Sequence, residues 1–124
     1  MTFRSALEER IAKSFEKDNV VYLYEARSYS YKLESKYTPD FFLNNNIILE
    51  AKGFFKPADR RKMLAIKKQY PDLDIRFVFQ RNNTLSKNSK THYGDWCDKH
   101  GFPWCIFPHI PKEWFNELPK PNNN

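Results

Sequence analysis

The stretch that decides the fold runs Tyr37-Thr38-Pro39-Asp40-Phe41-Phe42-Leu43-Asn44-Asn45-Asn46-Ile47-Ile48-Leu49-Glu50-Ala51-Lys52-Gly53. Two apolar runs flank three asparagines. Asparagine tolerates positive φ and bonds its own backbone, so the triple predicts a turn. Residues 37–43 therefore read as one strand and residues 47–52 as the returning strand, ended by Gly53. Side chains alternate along a strand, so Ile48, Glu50 and Lys52 share one face. Ile47, Leu49 and Ala51 share the other, which is wholly apolar and is expected to be the core face. The turn brings Asp40 back beside Glu50. Two carboxylates and one ammonium are thus expected to converge at the C-terminal end of a strand.

Working outward, residues 5–18 predict a helix, because Leu7, Ile11 and Phe15 recur every four residues. Ser5 with Glu8 fits the Ser-x-x-Glu capping box that marks a helix start. Residues 20–26 are aromatic and β-branched and predict a strand. Residues 27–33 alternate Tyr29, Tyr31 and Leu33 with polar neighbours, which is an extended pattern. On the far side, Pro57 opens a helix that continues to about residue 69 and is stopped by Pro71. Residues 75–79 are nearly all apolar and predict a central strand buried on both faces. Residues 81–90 form a polar, basic loop. Residues 91–100 predict a helix closed by Gly101, residues 104–107 a short strand, and residues 112–118 a terminal helical turn before a frayed tail at 119–124. Helices between strands imply an α/β domain with a mixed sheet flanked by helices.

The 124 residues suit one domain large enough for its own core. Hydrophobic residues at 40% and aromatic residues at 17% exclude a disordered basic tail. No apolar run approaches the length of a membrane span, and the N-terminus lacks a signal-peptide pattern, so a cytoplasmic location is expected. Two cysteines imply no disulfide framework. The net charge of +6 is unevenly placed. Residues 52–90 carry eleven basic and three acidic groups, whereas each flank is close to neutral. Such a basic segment is expected to meet phosphates.

Carboxylates beside an ammonium and a basic segment suit phosphodiester cleavage. Carboxylate oxygens hold Mg²⁺, which acidifies water and neutralises charge developing on the phosphate. A lysine orients or deprotonates the attacking water, or stabilises the transition state. The plain alternative is a strand-end ion pair with a turn aspartate.

Pro39-Asp40 followed by Glu50-x-Lys52 resembles the signature of the Pro-Asp/Glu-x-Lys nuclease superfamily, whose core is restriction-endonuclease-like. The closer resemblance is to the phage endonuclease I family of four-way-junction resolvases. It is carried by Phe3-Arg4-Ser5-Ala6-Leu7-Glu8, Tyr37-Thr38-Pro39-Asp40-Phe41, Glu50-Ala51-Lys52-Gly53, Asp59-Arg60-Arg61-Lys62, Pro71-Asp72-Leu73-Asp74-Ile75-Arg76, Tyr93-Gly94, Cys97-Asp98-Lys99-His100-Gly101 and Ile110-Pro111-Lys112-Glu113-Trp114.

The resemblance implies a homodimer that cuts a Holliday junction in paired fashion. It implies Mg²⁺, or Mn²⁺ as substitute, with one or two ions per site and no small-molecule cofactor. Asp40 and Glu50 match the metal-binding carboxylates, Ala51 would offer its backbone carbonyl, and Lys52 matches the catalytic lysine. Glu8 matches a further active-site carboxylate and is expected among the metal-holding residues. The family exchanges its first helix and strand, which implies a domain-swapped arrangement of residues 1–26, a bridge at 27–35 and a main body at 36–118. The bridge here is shorter than the family's and has no proline between Glu25 and Pro39, and the family's basic terminal extensions are missing. DNA contacts are accordingly expected from Arg4, Ser5, Lys56, Arg60, Arg61, Lys62, Arg81, Lys87 and Lys90.

Some alternatives stay open at this stage. Glu8 is either a helix-capping residue or a catalytic one, and the two roles differ in where its carboxylate points. The bridge is either an exchanged ribbon or an ordinary hairpin within one chain. The chain is a junction-resolving nuclease, a non-catalytic branched-DNA-binding module, or a restriction- or repair-type nuclease acting on linear duplex. Cys97, His100, Cys105 and His109 have a spacing that would admit zinc, but the aromatics among them favour core packing. With glycine only at 53, 94 and 101, no phosphate-binding glycine loop exists.

Overall fold

The computed structural model describes residues 2–31 and 35–120. Its elements run α1 (Ala6–Lys17), β1 (Tyr22–Tyr24), β2 (Tyr29–Tyr31), β3 (Ser35–Tyr37), β4 (Phe41–Leu43), β5 (Ile47–Lys52), α2 (Pro57–Gln69), β6 (Asp74–Phe79), α3 (Tyr93–His100), β7 (Trp104–Ile106) and α4 (Glu113–Asn116). Five strands form one mixed sheet in the order β1-β4-β5-β6-β7, and β2 with β3 forms a separate two-stranded ribbon. The β1–β4 and β4–β5 pairs are antiparallel, whereas β5–β6 and β6–β7 are parallel. The α/β class with a helix-flanked mixed sheet is as the sequence predicts. Among the described residues no helix is long and apolar enough to cross a membrane.

The hairpin turn falls at the asparagines, with Asn46 in the left-handed region at φ 70°. Phe41 then pairs with Leu49 and Phe42 with Ile48, which continues to place Asp40 opposite Glu50. The expected single strand over residues 37–43 is broken, however. Pro39 lacks an amide hydrogen and cannot join a ladder. Residues 35–37 pair with β2, residues 41–43 pair with β1 and β5, and Asp40 is released at the break.

Both faces of the sheet are covered. Leu7, Ile11, Ala12 and Phe15 of α1, with Trp114 of α4, pack on Phe41, Leu43, Ile47, Leu49 and Val78. Met63 and Ile66 of α2, with Tyr93, Trp96 and Cys97 of α3, pack on Phe42, Ile48, Ile75, Phe77 and Phe79. The face carrying Ile48 is therefore core too, not the open side that the alternation of β5 suggests. The parallel β5–β6 pair needs a crossover, and its helix α2 covers that face. Burial of each large apolar side chain contributes roughly 1.5–3 kcal/mol.

Two local packing features fix the periphery. Gly94 opens α3 against the Trp104 indole, where a Cβ would come within 2.2 Å of a ring carbon. Arg76 at the start of β6 is buried and bonds both oxygens of Asp74 at 2.9 Å, reaches Glu117, and lies over the Trp114 ring. Asn45 holds the same C-terminal segment through the Trp114 and Glu117 carbonyls.

Within the single chain, α1 and β1 sit on their own sheet, and the ribbon pairs Tyr29 with Tyr37 and Tyr31 with Ser35. Residues 32–34 of the expected bridge lie outside the described residues, as does the expected tail from 121 onward.

Candidate active site

Asp40 and Glu50 converge as the sequence predicts, and their geometry is reciprocal. The Asp40 amide donates to Glu50 Oε2 at 3.0 Å, while the Ala51 amide donates to Asp40 Oδ2 at 2.9 Å. The Tyr37 phenol donates to the same Glu50 Oε2 at 2.9 Å. Both donors to Glu50 thus fall on Oε2, and the backbone bond to Asp40 falls on Oδ2. Among the described residues no donor meets Glu50 Oε1 or Asp40 Oδ1, and these are the oxygens left for a ligand. In a strand, the amide and carbonyl of one residue point to the same neighbour. The Ala51 carbonyl therefore points to the β4 side, past the last β4–β5 pair, where Asp40 lies.

These carboxylates are almost fully buried, with Asp40 at 8% and Glu50 at 3% exposure. Burial disfavours the charged form and is the main reason that both protonate above the ordinary carboxylate range. Asp40 is pushed up to about 8, with the negative Glu50 adding to burial and Glu8 adding less. The Ala51 amide and Lys52 oppose that rise. Lys52, the Asp40 amide, the Tyr37 phenol and Lys62 oppose the rise at Glu50. Burial and the neighbouring Glu50 hold the Tyr37 phenol well above its usual range, so it remains a donor.

Glu8 comes to the same region from α1. Ser5 accepts the Glu8 amide at 3.1 Å, which is half of the predicted capping box. The Glu8 carboxylate does not complete the box: it accepts from the Tyr24 phenol at 2.9 and 3.2 Å. Tyr24 in turn accepts the Arg4 amide at 3.0 Å, and its own ionisation is pushed up to about 12, chiefly by burial. Glu8 is 4% exposed, and its charge is felt at Asp40. The carboxylate is thus turned away from its own helix start and toward Tyr24.

Lys52 points toward α2, with its ammonium 3.9 Å from Asp59. Asp59 also accepts the Lys56 amide at 3.2 Å, capping α2. Asp59, Tyr24 and Tyr37 contact Lys52, Glu8 and Glu50 respectively, and the sequence does not announce them. A tyrosine in a strand looks like packing until its partner is known.

The expected phosphate-contacting residues divide. Lys56, Arg61, Arg81, Lys87 and Lys90 are exposed. Arg60 is tied to the Phe55 carbonyl at 2.8 Å, and Lys62 lies 5.6 Å over the Tyr37 ring. Arg4 pairs with Glu25 at 2.7 Å, and Ser5 is the α1 cap.

The donor set is all oxygen, and the two buried carboxylates repel each other in the absence of a cation. Such a set fits Mg²⁺, which is commonly held by one or two carboxylates while keeping its remaining positions for water and substrate phosphate. Among the described residues no three His, Cys, Asp or Glu side chains converge closely enough to cage an ion. Glu8 therefore stands beside the Asp40–Glu50 pair without forming a three-carboxylate cage with it. The same observation argues against the zinc set. Cys97 and Cys105 are buried in the two cores on opposite faces of the sheet, and burial raises both thiols. His100 packs on Trp96 with ring centroids 4.6 Å apart.

Comparison with known proteins adds an independent line. The sequence model described as phage endonuclease I matches residues 1–123. Endonuclease I of Escherichia phage T7 is 42% identical over 122 residues, covering 95% of this chain and 81% of that protein. Endodeoxyribonuclease 1 of Enterobacteria phage T3 is 44% identical over 103 residues, covering 80% of this chain and 68% of that protein.

Proposed function

We propose, because this chain belongs to the phage endonuclease I family and carries the site just described, that it is a metal-dependent endonuclease resolving four-way DNA junctions and other branched DNA. The observation that carries this is the buried Asp40–Glu50 pair, each carboxylate with one oxygen tied and one left, beside Lys52.

Asp40, Glu50 and the Ala51 carbonyl would hold Mg²⁺ or Mn²⁺. The ion, when bound, supplies an acidified water and positive charge against the phosphate. The chain supplies the rest. The Asp40 and Ala51 amides fix the two carboxylates, so little reorganisation accompanies the reaction. Lys52, a compact ammonium, orients the attacking water or meets charge developing on the phosphate, and Asp59 holds it near that position when substrate is absent. Glu8, oriented by Tyr24, lies within electrostatic range as a third carboxylate able to accept a proton. Lys56, Arg61, Arg81, Lys87 and Lys90 contact the phosphate backbone, which positions DNA without reading its sequence.

The working unit is a homodimer in which residues 1–26 are exchanged, with 27–35 as the bridge and 36–118 as the main body. Support comes from the way the first segment satisfies itself. Glu8–Tyr24, Arg4–Glu25 and the Ser5 cap all lie within it. The segment can therefore dock on a partner's sheet as it docks on its own. Two sites in one dimer would give paired cuts.

The decisive experiment is cleavage of a labelled four-way junction with and without Mg²⁺, beside its component linear duplexes. Wild type should nick the junction only with Mg²⁺ and in preference to the duplexes. Glu50→Ala should lose cleavage and keep binding. Junction binding with no nicking under any metal condition would instead mark a non-catalytic branched-DNA module, and equal cutting of linear duplex would mark a restriction- or repair-type nuclease.

A further inference from the structure

We infer that Tyr37 is a positioning residue for Glu50, selecting which carboxylate oxygen faces the metal. The inference rests on the metal-dependent reading of the site. Tyr37 sits at the end of β3, three residues before Asp40, and is fully buried. Its hydroxyl meets Glu50 Oε2 at 2.9 Å. The Asp40 amide meets that same oxygen at 3.0 Å. Two donors from different directions fix the carboxylate plane, and the plane then presents Oε1 outward.

A backbone amide alone leaves the carboxylate free to pivot about one bond. A second donor removes that freedom. The phenol is well suited to the task, because it offers a proton without adding charge to the ion's neighbourhood. Its ring is itself held, lying 6.2 Å from Tyr29 and beneath the Lys62 ammonium at 5.6 Å. The break in the strand at Pro39 makes the arrangement possible. It lets residues 35–37 leave the main sheet and deliver Tyr37 from the side, while Asp40 stays opposite Glu50.

Partners that orient metal ligands typically change metal affinity or activity about 10–100-fold when removed. Mn²⁺ titration by calorimetry, without DNA, tests the inference on wild type, Tyr37→Phe, Glu50→Gln and the double variant. Tyr37→Phe should weaken Mn²⁺ binding about 10–100-fold and slow single-turnover junction cleavage similarly, with junction affinity unchanged. The losses from Tyr37→Phe and Glu50→Gln should be strongly non-additive, because both act through one carboxylate. Mn²⁺ affinity within twofold of wild type, or additive losses, would overturn the inference.

Wild type carrying ¹³C-labelled tyrosine gives a second measurement that needs no variant to fold. The Tyr37 phenolic carbon signal should shift on addition of Mg²⁺, and an unmoved signal would overturn the inference. If wild type itself binds neither ion, the metal-dependent reading fails first, and that result is distinct from a Tyr37 variant matching a wild type that does bind.

Discussion

Asp40 and Glu50 hold each other through the backbone: the amide of Asp40 donates to the Glu50 carboxylate, and the amide following Glu50 donates to the Asp40 carboxylate. The clasp brings two like charges together in a place with little water. Without a cation this is an unfavourable arrangement, and its cost should be measurable. Asp40→Asn should raise the melting temperature of the metal-free protein at pH 8 by several degrees, since about 1 kcal/mol shifts a domain of this size by roughly 3–6 °C. The same variant should cut junctions at least a thousandfold more slowly while binding them as wild type does. An unchanged or lower melting temperature would show that the pair is not strained.

The pH dependence follows from the raised Asp40. Its folded-state pKa of about 8 lies above the ordinary value of 3.8. Between those limits the folded state binds more protons than the unfolded state, so this group's stabilisation is full below about pH 4 and is lost as pH rises through 8. Metal-free protein should therefore lose stability through this group from pH 4 to 8. Mg²⁺ should reverse the trend, because an ion binds the deprotonated pair and releases protons as it does so. Denaturant melts at several pH values, with EDTA or with Mg²⁺, check both signs.

The exchanged arrangement has its own test. Glu8→Ala and Glu50→Ala homodimers should each be inactive. Unfolded and refolded together, they should form heterodimers in which one composite site has both carboxylates and the other has neither. Nicking of one strand should return at about a quarter of the wild-type specific activity, because half of randomly re-paired dimers are heterodimers and each has one of its two sites intact. If each chain keeps its own first helix, every site in the mixture lacks one carboxylate and no activity returns.

On the other face of the sheet, Arg76 of β6 ties Asp74, Glu117 and Trp114 together. Arg76→Met should lower stability by about 3 kcal/mol, read from the urea midpoint, because removing one partner leaves the half-buried Asp74 without its main counter-charge. Junction cleavage at low temperature should be nearly unchanged, since Arg76 turns to the Trp114 face of the sheet, opposite the face that carries Ile48 and Glu50.

Much of this was legible in the chain itself. The three asparagines and the alternation of residues 47–52 set the hairpin and the meeting of Asp40 with Glu50, because a two-residue period and a turn are local properties. The burial of Glu50 was not legible. It depends on α2 crossing that face, a consequence of β6 lying parallel to β5 some twenty residues later. The Ser5–Glu8 pattern is real at Ser5, but Tyr24, sixteen residues away, takes the Glu8 carboxylate. Tyr37 and Asp59 were missed for the same reason: their meaning is the partner they find, and a partner brought by tertiary folding leaves no spacing to read.

The parallel β5–β6 pair gives the molecule a polarity. Ile47 and Asp74 stand at one end of the pair, and Lys52 and Phe79 at the other. The arginine clasp fastens the first end, while the chemistry and the basic segments that follow β5 and β6 gather at the second. Wear and novelty are thereby kept apart. Under the proposed function, the loop over residues 81–90 can change length and charge without loosening the fastening that keeps the chain folded, so the grip on DNA can diversify while the fold stays constant.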